Sequence, residues 1–106
     1  MRPRATLGAY FVADVDWHDE EKYAQYVETF SAVLKKYGGR TLATDHEPRT
    51  VEGNWKLHTL VILEFKDMEA LNTWYGSPEY APLQSLREAG AVTNVVTVRG
   101  VPAPSG

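Results

Sequence analysis

The sequence contains no cysteine, no long apolar run and no excess of basic residues. The absence of cysteine excludes disulfide bonds, thiolate catalysis and zinc sites built on cysteine. No segment approaches the roughly 20 consecutive apolar residues that a membrane span requires. The basic start "MRPR" leads directly into an alternating segment without the apolar stretch of a signal peptide. We therefore expect a cytoplasmic protein with no membrane partner.

The charge balance argues against nucleic acid as a partner. Eleven Lys and Arg stand against 14 Asp and Glu, for a formal net charge of -3, and no basic cluster occurs in any segment. A chain of 106 residues that is 43% apolar is suited to one domain with a modest core. We predict a single domain over residues 1–99 and a flexible Pro/Gly-rich tail over residues 100–106.

Two segments alternate between apolar and mixed residues, which is the pattern of strands with two different faces. The first runs from Thr6 to Asp16, where the odd-numbered residues are apolar and the even-numbered ones include Tyr10 and Asp14. In the second, one face carries Thr59, Val61, Leu63 and Phe65, and the other carries Lys56, His58, Leu60, Ile62 and Glu64. One face of each strand therefore favours a helical layer, while the other needs a different cover.

The segment between these strands predicts an amphipathic helix, with Asp16 or Asp19 as its cap and Gly38 at its end. Its apolar residues follow the i, i+3, i+4, i+7 spacing: Tyr23, Tyr26, Val27, Phe30, Val33, Leu34 and Tyr37. "RTLAT", from Arg40, is predicted as a short strand. "RTVEGNWKLHTLVILEF" is predicted as a second strand, a turn at Gly53 and Asn54, and a long third strand.

The stretch "WYGSPEY" marks the boundary between two further helices. A short helix capped by Asp67 should end at Gly76, and Ser77 followed by Pro78 is a typical helix start. Pro82 would interrupt a helix that began at Ser77, which favours a single turn followed by a main helix from about Ala81. A final strand is predicted over Val92 to Val98.

This order predicts an α+β fold, the ferredoxin-like βαββαβ plait, in which helices cover one face of an antiparallel sheet. The other face would expose an apolar patch formed by Tyr10, Val12, Leu60, Ile62 and, in the last strand, either Val92, Val96 and Val98 or their neighbours. Because such a patch is unusual on a monomer, we expect a homodimer joined through the open sheet faces.

The pieces "AYFVADVD", "KYAQY", "YGGR", "VEGNW", "VILEF" and "WYGSPEY" resemble, in this order, the domain-of-unknown-function family number 1330, within the dimeric α+β barrel superfamily. The resemblance covers roughly Leu7 to Val98. It implies a ferredoxin-like subunit whose sheet joins that of a partner to enclose a barrel-like cavity, and it carries over no catalytic residue. Related barrel families include cofactor-free monooxygenases, lactone isomerases, polyketide cyclases and haem-degrading enzymes, but a shared fold does not determine a reaction. His58 stands where the resemblance would lead us to expect an arginine.

Glu64 and His58 are the candidate catalytic residues. A partly buried Glu64 carboxylate could transfer protons, or it could form a structural ion pair with Arg40 or Arg87. Six residues of strand span about 20 Å, so His58 and Glu64 cannot touch within one chain. His18, His46 and His58 show no metal-ligand spacing, and we expect neither a metal site nor a cofactor.

The candidate ligand-binding residues combine aromatic rings with a few polar groups: Tyr10, Tyr26, Arg40, Trp74, Ser77 and Tyr80. Tyr26 belongs to a helix stripe that core packing largely explains, but a buried phenol needs a hydrogen-bond partner and could present it to a ligand. These residues predict a small-molecule binder that could be a cofactor-free enzyme for proton transfer, cyclisation or oxygenation. The alternative is a non-catalytic ligand-binding or stress-related accessory module. A third alternative is a unit that only dimerises.

Overall fold

The computed structural model describes residues 8–101, which form one antiparallel sheet with helices on one face. The elements are β1 (Ala9–Trp17), α1 (Glu20–Lys36), β2 (Arg40–Asp45), β3 (Thr59–Phe65), α2 (Met68–Tyr75), α3 (Ala81–Gly90) and β4 (Ala91–Arg99). The strand order is β2-β3-β1-β4. This topology confirms the predicted ferredoxin-like plait. The end of the predicted tail, from residue 102, lies outside the described residues.

The two faces of the central strand β1 differ as the alternation predicted. Ala9, Phe11, Ala13 and Val15 are buried under the helices, whereas the residues between them are half-buried. Tyr10 lies opposite Glu64 in β3 and Val98 in β4, and Val12 lies opposite Ile62 and Val96. Since opposed residues project to the same side of a sheet, these pairs line the open face.

Helix α1 begins and ends where its local signals indicate. Of the two predicted caps, Asp19 is the N-cap, because its carboxylate accepts a hydrogen bond from the Lys22 backbone N–H at 3.1 Å. Gly38 follows the helix with a φ of 80°, a conformation that glycine adopts at little cost. The other candidate cap, Asp16, lies on the open face of the sheet.

The prediction of a strand and hairpin after Arg49 was wrong. The chain between β2 and β3, residues 46–58, contains no strand, and β2 pairs directly with β3. Val51 is 85% exposed there, because no neighbouring element covers it. Gly53 does adopt a turn conformation, with a φ of 92°. The long strand predicted to include Lys56 and His58 starts only at Thr59.

The stretch "WYGSPEY" folds as its helix-ending and helix-starting residues indicated. Helix α2 is capped by Asp67, whose carboxylate accepts from the Ala70 backbone N–H at 2.8 Å, and it ends at Gly76. Residues 77–80 form a turn, and α3 starts at Ala81. Pro82 therefore falls in the first turn of α3, where its missing N–H leaves no helical bond unmade.

The open face of the sheet is apolar along three strands. In β4 the exposed fractions are 61% for Val92, 59% for Val96 and 45% for Val98. Their opposed neighbours in β1 and β3 continue the patch toward Ile62.

Within residues 8–101, no helix has the length and apolar character to cross a membrane.

Candidate functional site

A cavity of about 230 Å³ lies on the helical side of the sheet, between α1 and strands β1 and β3, with β2 at its edge. Most of its lining is apolar or aromatic, and includes Phe11, Val15, Phe30, Val61 and Leu63. Eight of the sixteen lining residues carry a hydroxyl, imidazole or guanidinium group: Tyr23, Tyr26, Ser31, Thr41, Thr44, His46, Thr59 and Arg87. Apolar walls with a small number of polar groups are typical of sites for organic ligands.

The cavity exists because α1 does not reach across β2. All six residues of β2 are exposed, and those that face the helical layer, Thr41 and Thr44, are too small to fill the gap. On α1, Val27 and Ser31 line the same gap and remain exposed. His46 follows β2 at the cavity edge, where its Nδ1 lies 3.1 Å from the Thr59 hydroxyl oxygen.

Arg87 supplies the cavity with a positive charge from helix α3. Arg87 is only 6% exposed, and its Nε has no hydrogen-bond partner among the described residues. Its Nη2 donates a long hydrogen bond of 3.5 Å to the Tyr75 hydroxyl. Burial acts to lower the pKa of Arg87, but the nearby oxygens of Tyr80, Tyr26 and Tyr75 outweigh it and raise the pKa. The guanidinium therefore stays charged in an apolar setting.

Tyr26 and Tyr80 form a hydroxyl pair beside this guanidinium. Their oxygens are 2.9 Å apart, and either hydroxyl can donate. Burial raises the pKa of Tyr26 far above its usual range, and the neighbouring Tyr80 raises it further. Tyr26 is therefore a neutral phenol in the cavity wall, with the hydrogen-bond partner that the sequence analysis required of it.

Glu64, Tyr10 and Arg40 form a cluster on the open face, away from the cavity. The Arg40 Nε donates to Glu64 Oε1 at 2.6 Å, and the Tyr10 hydroxyl donates to Oε2 at 3.3 Å. Of the two arginines considered as partners for Glu64, Arg40 makes the ion pair. The three side chains line a shallow depression at the β2 edge of the sheet. A catalytic role for Glu64 stays a prediction.

His58 lies at the other end of the open face, between two aspartates. Its backbone N–H donates to Asp14 Oδ1 at 2.6 Å, and its Nδ1 lies 3.1 Å from Asp14 Oδ2. Its Nε2 is 3.6 Å from Asp16 Oδ2. The hydrogen bond that the imidazole makes to the Asp14 carboxylate raises the pKa of His58. Desolvation opposes this shift, and the charge of Asp16 adds to it. His58 and Glu64 thus have separate partners.

The residues of the "WYGSPEY" stretch lie in the core behind the cavity. Trp74 and Tyr80 are fully buried, with ring centroids 4.4 Å apart, and the indole Nε1 of Trp74 has no hydrogen-bond partner. Ser77 is buried as well, donating to the Trp74 carbonyl oxygen at 2.8 Å. None of these three residues lines the cavity, but the Tyr80 hydroxyl contacts its wall at Tyr26. Tyr75 is the half-buried ring of the stretch.

The structure thus gathers one predicted ligand-binding residue, Tyr26, with several that the sequence analysis did not select. Arg87 is the most important of these, since we considered it only as a partner for Glu64. The available signal was its spacing: Leu83, Arg87 and Gly90 lie on one stripe of α3, and all three are buried. In residues 8–101, no group of three or more His, Asp or Glu side chains is arranged to hold a metal ion.

The fold and site together define a class, a ferredoxin-like α+β subunit with a small apolar cavity between helix and sheet. Residues 8–101 match the model of the family described as "Domain of unknown function (DUF1330)". The chain therefore belongs to the DUF1330 family, as its motifs predicted. No protein with a curated description matches the sequence.

Several solved structures share the fold. A protein of unknown function from Rhodopseudomonas palustris is 14% identical, with a TM-score of 0.75 over 92% of this chain and 85% of that one. SnoaB, a cofactor-independent oxygenase from Streptomyces nogalater, is 12% identical, with a TM-score of 0.62 over 86% and 90%. A dimeric protein of unknown function from Bacteroides fragilis is 12% identical, with a TM-score of 0.56 over 91% and 98%. At these identities the likeness shows the fold alone.

Proposed function

We propose that this protein binds an organic small molecule in the cavity between α1 and the sheet. The observation that carries the proposal is the lining, whose surface is mainly apolar and aromatic and includes hydroxyl, imidazole and guanidinium groups. A core of this size would ordinarily fill such a space with side chains, because interiors pack densely. The likeness to SnoaB, an oxygenase that needs no cofactor, supports a small molecule as the ligand without identifying a reaction.

This site differs in place from the one expected at the sequence level, where the ligand lay between two sheets. Of the residues predicted for that site, Tyr10, Arg40 and Glu64 form one cluster on the open face and His58 lies in another. The remaining ones, Tyr26, Trp74, Ser77 and Tyr80, belong to the helical side of the sheet. The cavity of the single chain is on the opposite side of the sheet. Ligand binding in the proposal therefore does not require the partner subunit.

Titration with a neutral aromatic probe, 2-naphthalenemethanol, followed by NMR of the labelled protein, tests the location. Amide shifts should concentrate at the cavity, and Ser31→Trp, which puts a bulky ring at an exposed lining position, should weaken binding at least tenfold. Ser85→Trp is the matched control, since Ser85 is exposed on α3 and does not line the cavity. Equal effects of the two tryptophans, or no binding by the unaltered protein, would refute the site. Native mass spectrometry of freshly purified protein would show whether a ligand co-purifies.

We further propose that two copies associate through the open sheet face, which leaves both cavities on the outer, helical sides. The exposed valines of β4 and their neighbours in β1 and β3 form the apolar patch that supports this. The dimeric relative from Bacteroides fragilis is consistent with it. Light scattering should give twice the chain mass of 11.9 kDa.

Replacing Val96 by Lys should give a monomer, because a charge would have to be buried in the interface. Val27→Lys serves as the control, since this valine is similarly exposed but lies on α1, on the other side of the molecule. A wild-type protein that is monomeric across concentrations would exclude the dimer while leaving the cavity proposal intact.

Proton transfer by His58 is a second candidate function, favoured by one specific observation. Asp14 holds the Nδ1 side of the imidazole, as a carboxylate orients a histidine base in many hydrolases. A reaction there would take place on the open face. Once a substrate is known, His58→Gln should abolish turnover with the dimer intact, and unchanged turnover would exclude this role. Glu64→Gln applies the same test to Glu64.

A further inference from the structure

Among residues 8–101, Arg87 is a buried cation without a counter-ion. Within residues 8–101, the ion pairs formed by Lys and Arg join Lys22 to Asp19, Lys36 to Glu79 and Arg40 to Glu64. No carboxylate of the same residues lies within 4.0 Å of Arg87. A charge that is removed from water and left unpaired is strongly unfavourable, so buried arginines are normally matched by an anion. The part of the chain that the structure describes does not supply this anion.

The partners that Arg87 does have are the neutral hydroxyl groups of Tyr75 and Tyr80. The bond from Nη2 to the Tyr75 hydroxyl is long, at 3.5 Å, and Nε makes none. A guanidinium presents its N–H groups as a planar fork that matches the two oxygens of a carboxylate. Because Arg87 lines the cavity, a bound carboxylate is well placed to accept from the terminal N–H groups of this fork, while Nε itself is buried.

Tyr26 offers a second donor beside the guanidinium. The pair formed by the Tyr26 and Tyr80 hydroxyls uses one of their two protons, so one remains for another acceptor. When Tyr80 donates to Tyr26, the free proton belongs to Tyr26, which is the member of the pair that lines the cavity. A neutral phenol in this position donates to an anion without repelling it.

We propose that the ligand of this cavity is an organic anion of one or two rings, with a carboxylate held by Arg87 and Tyr26 and its apolar body against the aromatic wall. The inference rests on the proposed function, since it names the chemical class of the molecule bound there. The cavity volume, about 230 Å³, lies just below the usual range for drug-sized ligands and favours a small ring system.

The test compares two probes with the same ring system, 2-naphthoate and the neutral 2-naphthalenemethanol, on the full chain. Wild-type protein should bind the carboxylate at least tenfold more tightly. Arg87→Met should abolish that preference while still binding the alcohol, and Tyr26→Phe should reduce it several-fold. Lys35→Met, which removes an exposed positive charge from α1 outside the cavity, should preserve the preference and thus controls for net charge.

An NMR measurement on the unaltered chain keeps the test decisive even if Arg87→Met does not fold. The side-chain Nε–H signal of Arg87 should shift on adding 2-naphthoate and remain in place with the alcohol. If the alcohol binds in the cavity as well as or better than the carboxylate, or the Arg87 signal does not respond, the anion proposal is overturned and the binding site stands. If neither probe binds, the proposed function fails, and this inference fails with it.

Discussion

Replacing Arg87 by Met should stabilise the ligand-free protein. Most substitutions at a residue that is only 6% exposed lower the free energy of unfolding. An increase in Arg87→Met would therefore indicate that the buried charge itself destabilises the ligand-free protein. Methionine has a similar length and is flexible enough to fill the same channel. The change removes a cation that lacks a counter-ion. The fold needs this cation only if the guanidinium holds the surrounding tyrosines in place.

The magnitude follows from the two kinds of contact that Arg87 makes. Its bond to Tyr75 is 3.5 Å long, so its loss should cost less than the roughly 1 kcal/mol of an ordinary hydrogen bond. Removing the unpaired Nε, which is buried, relieves a penalty of about 1–3 kcal/mol. We expect a net gain of about 1 kcal/mol, or roughly 4–8 °C in Tm for a domain of this size.

Urea denaturation at one fixed protein concentration measures this change, because the stability of an associating protein depends on concentration. Arg40→Met is the matched control: its side chain is 72% exposed in the ion pair with Glu64, so its loss should change stability by less than about 1 kcal/mol. A loss of more than about 2 kcal/mol in Arg87→Met would refute the reasoning. It would identify Arg87 as a structural residue of the tyrosine cluster instead of a group kept for a ligand.

Three other predictions concern the fold and the open face. Gly39→Ala should lose about 1–3 kcal/mol in urea denaturation because its Cβ would stand 2.5 Å from a core side chain; Gly76→Ala meets only an ordinary contact at 3.4 Å, and an equal loss in both would contradict this. The imidazole of His58 should titrate by NMR above 6.5, its pKa raised by Asp14. The contribution of His58 to the free energy of unfolding, measured against His58→Gln, should be fully present below pH 6.5. It should disappear as the pH rises through the pKa of the folded protein, and a measured pKa at or below 6.5 would exclude this contribution. Asp67→Ala should cost about 1 kcal/mol by removing the cap of α2, whereas Asp67→Asn should retain most of it, and identical losses would rule out capping.

Most of the fold could be predicted because its signals are local. Alternation in β1, the Asp19 cap and the punctuation around Gly76 depend on neighbours a few residues away, and the structure confirms each of them. The segment over residues 46–58 was predicted wrongly because its β-branched residues resemble a strand, yet no neighbouring strand is available to pair with them. Strand propensity without a partner does not produce a strand.

The candidate site was harder to predict, since it arises from a gap between elements. Whether α1 covers β2 depends on how the helix is placed over the sheet. The spacing of residues in the sequence does not show that the small side chains of Thr41 and Thr44 lie at the edge of a cavity. Arg87 was visible as a charged residue on the apolar stripe of α3. That signal indicates burial, but the lack of a nearby carboxylate is a property of the three-dimensional arrangement alone.

The alternation of β1 has a consequence for how the two proposed surfaces can be separated by mutation. Phe11 lines the cavity and the adjacent Val12 lies on the open face, so one backbone layer stands between ligand and partner. Whether a position in β1 is odd-numbered or even-numbered therefore predicts which of the two properties, ligand binding or association, a substitution there affects. Odd positions should alter probe affinity at constant molecular mass, and even positions should alter molecular mass at constant affinity, so that a single nine-residue scan over Ala9–Trp17 reads both properties independently.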